Sequence, residues 1–114
     1  MGRASQRKGA QGERELAELL AAAGWPVQRG GSCFGEKPDL YGLPDVHVEV
    51  KRREALNITE AMAQARRDAD KFRDGHPAVF HRRNRQPWLV TMPLESWIEL
   101  YSAFEREKTG ENRT

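Results

Sequence analysis

The chain has 114 residues, enough for one compact domain and too few for two. It is 38% hydrophobic and 32% charged, with no apolar run near the roughly 20 residues that a membrane span needs, so a role in the membrane is not expected. A single cysteine excludes an internal disulfide and does not suggest a zinc site, and the basic start lacks a secretory signal, which favours the cytoplasm.

Leucines and alanines at helical spacing predict a first helix over 13–23, which Gly24 and Pro26 end. A basic arm, 1–11, precedes it and is expected to be flexible. A short extended stretch, 27–29, and a glycine-rich loop, 30–35, follow the helix.

Strands over 39–41 and 46–51 are predicted to form a hairpin. In the second strand, strict alternation puts the valines on one face and His47, Glu49 and Lys51 on the other. A second helix is predicted after Asn57, which has Glu60 three residues later as in a capping box. Strands over 78–82 and 88–92, joined by a polar turn, lead to a last helix marked by Leu94 to Phe104, and 106–114 is expected to be a flexible tail.

The predicted order, α-β-β-β-α-β-β-α, indicates an α/β fold in which helices flank a mixed β-sheet, within a single domain over 1–114. The formal net charge is only +2, but arginines and lysines concentrate between Arg66 and Arg85. Such a patch is typical of a surface that binds phosphates, although each of these side chains can equally serve only to solvate a helix face.

Asp39 and Glu49 are separated by the length of a hairpin, and Lys51 follows on the same strand face as Glu49. If their strands pair, two carboxylates lie beside an ammonium group, a set that can hold Mg²⁺ and hydrolyse a phosphodiester. Glu-x-Lys on a strand is also common as a solvated ion pair. Asp45 is the rival aspartate, but its place after Pro44 fits the turn of the hairpin.

Pro38-Asp39, Glu49 and Lys51 match the signature of the PD-(D/E)XK nucleases, and the segment from Arg7 to Glu15 resembles the opening of the archaeal-type Holliday junction resolvases. The resemblance runs from Arg7 to Lys51 and weakens beyond it. It implies a restriction-endonuclease-like fold and an Mg²⁺-dependent endodeoxyribonuclease, with Mn²⁺ able to substitute and no small-molecule cofactor.

Carried over by residue, the resemblance implies metal ligands at Glu13, Asp39, Glu49 and Val50, with Lys51 as the catalytic lysine. Ser32 resembles a serine that assists catalysis, or it serves only the turn. Arg14 and Arg29 would contact phosphates near the cut. Further DNA contacts are expected from Arg7, Lys8, Arg52, Gln64, Arg66, Arg67, Arg82 and Arg83.

Two of these assignments have open alternatives nearby in the sequence. Gln64 follows the motif lysine on the second helix, where related nucleases place a glutamine at the active site, but it can equally be exposed. His47 shares the strand face of Glu49, and a lone histidine there is more often a hydrogen-bonded structural residue than a metal ligand.

Three functions are compatible with these residues. The first is resolution of four-way DNA junctions by a homodimer of phage or prokaryotic origin, since paired symmetric cuts need two active sites related by a twofold axis. Trp97, Ile98 and Tyr101 are expected to form part of the dimer surface. The second is a nuclease of the same type that cuts flaps, duplexes or restriction and repair substrates, and the third is a DNA-binding module that does not cut.

Overall fold

The computed structural model describes the backbone of residues 2–30 and 37–110, and the side chains of 9–30 and 37–110. Within these residues the helices and strands follow in the predicted order. They are α1 (Gly2–Ala22), β1 (Gln28–Arg29), β2 (Leu40–Tyr41), β3 (Val46–Arg52), α2 (Ile58–Phe72), β4 (His76–Arg82), β5 (Leu89–Thr91) and α3 (Leu94–Thr109).

The strands form one sheet in the order β1-β2-β3-β4-β5. β3 and β4 are parallel and are connected through α2, whereas the other neighbouring pairs are antiparallel. The predicted hairpin is confirmed by the register that sets Leu40 opposite Val48. The architecture is therefore the predicted mixed sheet with flanking helices.

The alternation predicted for β3 is confirmed, because two different clusters of buried residues lie on the two faces of the sheet and the β3 valines belong to only one of them. The valine face packs with α1 in a core of Leu16, Leu40, Val48, Val50, Ala78 and Phe80. On the other face, α2 packs through Ala61 and Ala65 onto Val79. Both helices are thus held by apolar burial, which stabilises a fold by about 25 cal/mol per Å² of apolar surface.

The predicted start of α2 is also confirmed. Asn57 is the N-cap, and its side-chain oxygen accepts a hydrogen bond of 3.1 Å from the Glu60 backbone N–H. Such a cap satisfies a donor that the first helical turn leaves without a partner.

Two predicted boundaries are wrong. α1 begins at Gly2, so residues 2–11, expected as a flexible arm, are helical, and α3 continues through Thr109 into the expected tail. Both extensions are rich in residues with good helix propensity but lack the apolar stripe on which the predictions depended. An ion pair of 3.6 Å between Lys108 and Glu105, one helical turn apart, supports the end of α3. In the described residues, no helix combines the length and apolar character needed to cross a membrane.

Candidate active site

Three carboxylates from three elements lie near enough to influence one another electrostatically where β2 and β3 pair. Glu49 lies on β3, Asp39 immediately precedes β2, and Glu13 is on α1. An Asp39 Oδ2 atom accepts a hydrogen bond of 2.8 Å from the Val50 backbone N–H, which ties the Asp39 side chain to the strand that carries Glu49. The two strands thus bring together the two acids that the sequence separates.

Two glycines permit this convergence. Gly12 is buried, and a Cβ there would lie 2.9 Å from the Arg52 Cβ, so only glycine lets α1 approach the end of β3 so closely. That approach carries Glu13 to the site. Gly30 donates a backbone hydrogen bond of 3.0 Å to the Asp39 carbonyl, and a Cβ at Gly30 would lie 2.1 Å from the Pro38 carbonyl oxygen. The sequence showed Gly30 only as part of a glycine-rich loop.

Burial and like charge raise the pKa of two of these carboxyl groups. Burial, the neighbouring Glu49 and the more distant Glu13 raise the pKa of Asp39 to about 7, against the lowering effects of the Val50 N–H and Lys51. Burial likewise raises the pKa of Glu13, although Arg29, whose Nε lies 3.3 Å from Glu13 Oε1, opposes the rise. A cation between these groups would relieve their mutual repulsion.

Lys51 lies on the same strand face as Glu49, as predicted. Its Nζ is 3.3 Å from Glu49 Oε2 and donates a hydrogen bond of 3.2 Å to Gln64 Oε1. The structure therefore brings Gln64, on α2, to the predicted catalytic lysine. The contact fixes the ammonium group between the acidic cluster and α2.

The donor set at this place fits a hard divalent cation. Glu13, Asp39 and Glu49 offer carboxylate oxygens, which Mg²⁺ prefers. The side chain of Val50 belongs to the core, so its main-chain carbonyl is the ligand atom it can offer. Because the N–H and C=O of one strand residue point to the same side of the strand, the hydrogen bond from the Val50 N–H to Asp39 also turns the Val50 carbonyl toward that side.

A cleft of about 420 Å³ lies beside Lys51 along α2. It is lined by Lys51 and Gln64 and, further along, by Arg53 and Arg67. Guanidinium groups beside a lysine are suited to holding the phosphates of a nucleic-acid strand. Arg67 was predicted from the sequence as a DNA contact. Arg53 was not, although it directly follows the strand that carries Glu49 and Lys51. A larger cleft, of about 850 Å³, lies between α2 and α3, and neither of these two clefts is lined by Glu13, Asp39 or Glu49.

Several other predicted DNA contacts lie apart from Lys51. Arg52 is on the opposite face of β3, against Gly12, and its Nε is buried with no hydrogen-bond partner among the described residues. Arg82 forms an ion pair with Glu15, and Arg66 pairs with Glu95 at 3.3 Å.

The remaining predicted residues are placed as follows. Arg14 is exposed on α1 near Glu13, and Arg83 is exposed after β4, where it lines a further cleft together with Arg53. Ser32 and the side chains of Arg7 and Lys8 lie outside the described residues. Asp45 occupies the turn before β3 with a φ of 63°, away from the acidic cluster, as its sequence context indicated.

A buried histidine adjoins the acidic cluster on the α2 side of the sheet. His47 is fully buried, its Nδ1 lies 3.0 Å from both carboxylate oxygens of Asp74, and its ring stacks on Phe72. Burial lowers the pKa of His47, but contacts with Glu49 and Asp74 outweigh burial and raise it above its ordinary value. No sequence pattern linked Asp74 to His47, because Asp74 lies 27 residues further along the chain, beyond α2.

Comparisons with known proteins identify the family and the fold. Residues 4–113 match the family described as "Phage putative PDDEXK endonuclease". The chain is similar to a solved structure of Hjc, a Holliday junction resolvase from the archaeal hyperthermophile Archaeoglobus fulgidus, with a TM-score of 0.56 and 25% sequence identity. The similarity covers 75% of this chain and 72% of that chain, and a comparison with curated proteins finds no match. The fold is the restriction-endonuclease-like PDDEXK fold, as predicted.

Proposed function

The chain belongs to the phage PDDEXK endonuclease family, and from this premise we propose that it is a metal-dependent endodeoxyribonuclease that resolves four-way DNA junctions. The observation that carries the proposal is the meeting of Asp39, Glu49 and Lys51 at the β2–β3 pair. The similarity to Hjc supports the junction as substrate. The cytoplasm of a prokaryotic cell or of a phage host is the setting that we propose.

Glu13, Asp39, Glu49 and the Val50 carbonyl would hold the cation, with Mg²⁺ as the natural ion and Mn²⁺ as a substitute. When bound, a divalent cation supplies Lewis-acid polarisation of the scissile phosphate. Lys51 then acts next to that phosphate, where its ammonium group stabilises the negative charge that develops in the transition state. Gln64 keeps the Lys51 side chain in this position.

The arginines would hold the DNA strand in register with these groups. Arg29 and Arg14, next to Glu13, lie nearest the acidic cluster, and Arg53 and Arg67 line the cleft beyond Lys51. Contacts of this kind bind the backbone without reading bases, so selectivity would come from the branched shape of the DNA. Binding should therefore weaken steeply as salt rises.

Substrate choice is tested with one sequence presented in several forms. Purified protein with Mg²⁺ should cut an immobile four-way junction by paired, symmetric incisions and leave the matched linear duplex and flap largely intact. EDTA should stop the cutting. Faster cutting of the flap or the duplex would overturn the junction proposal while leaving nuclease activity in place.

The catalytic centre is tested by conservative substitutions. Asp39→Asn and Glu49→Gln should abolish cutting and leave junction binding largely intact, because the arginines remain. Asp45→Asn is the matched control, since Asp45 is an exposed turn aspartate outside the cluster. Undiminished cutting by both Asp39→Asn and Glu49→Gln would contradict the proposed site and favour activity elsewhere.

Lys51→Ala distinguishes a catalytic role from simple phosphate binding. We expect a loss of about 10²–10³ in rate, the cost of removing one group that stabilises transition-state charge, with little change in junction affinity. An equal loss of rate and affinity would reassign Lys51 to substrate binding.

A further inference from the structure

His47 has one ring nitrogen that the protein leaves without a hydrogen bond. Nδ1 is engaged by Asp74, whereas Nε2 is fully buried, has no hydrogen-bond partner among the described residues and lies 3.7 Å from Glu49 Oε1. That distance is too long for a hydrogen bond. A buried polar atom without a partner costs about 1–3 kcal/mol, so its position needs an explanation.

Asp68 on α2 supplies a third ligand group at the same place. One ring nitrogen of His47 and one carboxylate oxygen each from Glu49 and Asp68 lie within 4.8 Å of one another. Asp68 is one helical turn beyond Gln64, so both side chains emerge on the side of α2 that faces β3. The three residues thus surround a small space beside the acidic cluster.

The arrangement around His47 is the one that metal-binding histidines usually have. In such sites one ring nitrogen binds the metal while the other N–H is donated to a carboxylate, which fixes the tautomer and the ring orientation. Here Asp74 takes the Nδ1–H, and Nε2 is left as the donor atom. An imidazole with two carboxylates suits Mn²⁺, Co²⁺ or Zn²⁺ better than Mg²⁺, which prefers oxygen ligands alone.

We propose that His47, Glu49 and Asp68 form a second divalent-metal site, selective for transition-metal ions, that shares Glu49 with the catalytic centre. The two oxygens of Glu49 face different neighbours, because Oε1 is the atom nearest His47 and Oε2 the atom nearest Lys51. Glu49 would therefore offer Oε1 to the nitrogen-containing site on the α2 side and keep Oε2 for the proposed catalytic centre. The inference concerns ion binding and does not depend on which DNA is cut.

The test counts ions on the full chain without DNA. By equilibrium dialysis, the wild type should bind two Mn²⁺ ions per chain, Asp68→Asn one, and Asp39→Asn one. Asp70→Asn, an exposed aspartate on the same helix, is the matched control and should still bind two. Because Asp68 is only partly buried, its substitution tests the site without removing a core side chain.

Electron spin-echo spectroscopy of bound Mn²⁺ identifies the site. The Mn²⁺ ion that remains on Asp39→Asn should show nitrogen coupling from one imidazole, whereas the ion that remains on Asp68→Asn should show none. Two ions on Asp68→Asn, or an absence of nitrogen coupling in both the wild type and Asp39→Asn, would overturn the second site. The proposed catalytic centre fails on a different result, namely undiminished cutting by both Asp39→Asn and Glu49→Gln.

Discussion

Asp39 is a partly buried carboxylate that feels the like charges of Glu49 and Glu13. Burial and Glu49 raise its pKa to about 7, so near neutral pH the charged form costs the folded protein stability when no cation is present. Asn at this position can still accept the hydrogen bond from the Val50 N–H. The proposed chemistry therefore needs Asp39, although its carboxylate lowers the stability of the metal-free fold.

We therefore expect Asp39→Asn to stabilise the metal-free protein. In EDTA at pH 8 its free energy of unfolding, from urea denaturation, should exceed that of the wild type by about 1–3 kcal/mol, since one pKa unit corresponds to about 1.4 kcal/mol. Adding Mg²⁺ should stabilise the wild type and leave the variant nearly unchanged. A less stable variant in EDTA would show that the carboxylate is favourably placed without metal.

Gln64 is a positioning residue, because it touches Lys51 and not the acidic cluster. Gln64→Ala should lower the single-turnover cleavage rate by about tenfold, a loss typical of groups that orient active-site ligands, with an unchanged junction Kd. Gln64→Glu keeps the acceptor oxygen and should recover much of the rate.

The control for Gln64 is Gln86→Ala, in the exposed turn after β4, where the hydrogen bonds of Gln86 are made by its backbone N–H and carbonyl. It should cut at the wild-type rate. A weakened Kd for Gln64→Ala, with an unchanged rate, would make Gln64 a DNA contact instead.

Some of the site could be predicted from the sequence, and the reason is local geometry. Asp39, Glu49 and Lys51 belong to one hairpin, where strand alternation and spacing determine which side chains meet. Asp68 was missed because its proximity to Glu49 depends on how α2 packs on the sheet, which no local pattern records. Arg53 was missed although it lies only two residues after Lys51.

Among the elements, α1 is linked to β4 and to the segment before β5 by the carboxylate of Glu15. Glu15 pairs with Arg82 on β4 and accepts a hydrogen bond of 2.8 Å from Trp88 Nε1. Glu15→Gln removes the charge from both contacts and should lower the free energy of unfolding by about 1–2 kcal/mol. Glu18→Gln, an exposed neighbour on the same helix, should change it by less than about 0.5 kcal/mol. Equal unfolding midpoints in urea for the two variants would contradict this role.

The contact between β4 and β5 gives a pH dependence of known sign. His81 Nε2 lies 2.8 Å from Thr91 Oγ1, and burial lowers the pKa of His81 below its ordinary value of about 6.5. Below that value the unfolded chain binds the proton more readily than the folded one, so stability is lost as pH falls.

His81→Gln removes this titration and keeps a side chain that can bond Thr91. Between pH 7.5 and 5.5 the wild type should therefore lose more stability than His81→Gln, measured by urea denaturation at each pH. Comparing the two proteins cancels the contributions of the other histidines. A larger loss of stability in His81→Gln than in the wild type would show that folding raises the pKa of His81.

The order of the elements could be predicted, but the ends of two helices could not. The sequences of β3 and α2 show apolar periodicity, because β3 lies inside the sheet and α2 packs on it through an apolar face. The first half of α1 and the last turn of α3 have polar sequences without an apolar stripe, and good helix formers favour the helix there. A pattern that records burial does not detect helix that is not buried.

On the scale of the whole molecule, the single chain is less compact than its length allows. Its radius of gyration is 15.0 Å, whereas a compact domain of this length has about 13 Å. In α3 the only fully buried side chain of the described residues is Ser96, and large apolar side chains stay exposed along the helix. They are Leu94, Trp97, Ile98, Leu100, Tyr101 and Phe104.

We propose that a second copy of the chain covers this face of α3. Trp97 and Tyr101 are stacked with ring centroids 5.0 Å apart, and Phe104 continues the aromatic row. Aromatic rows of this kind are enriched at the centres of protein interfaces. A twofold dimer also supplies the two active sites that paired incision of a junction requires.

Trp97→Glu should convert the dimer into a monomer, because it puts a charge into the apolar centre of the proposed interface. Sedimentation equilibrium should give twice the 13.0 kDa chain mass for the wild type and that mass for the variant. Trp25→Glu is the matched control, since Trp25 is 52% exposed and Trp97 51%, but Trp25 lies outside α3. The monomer keeps its acidic cluster, so it should nick one strand of the junction at a time where the dimer makes paired cuts. Paired cuts by a monomeric Trp97→Glu variant, or a wild type that is itself monomeric, would show that α3 does not join two active sites.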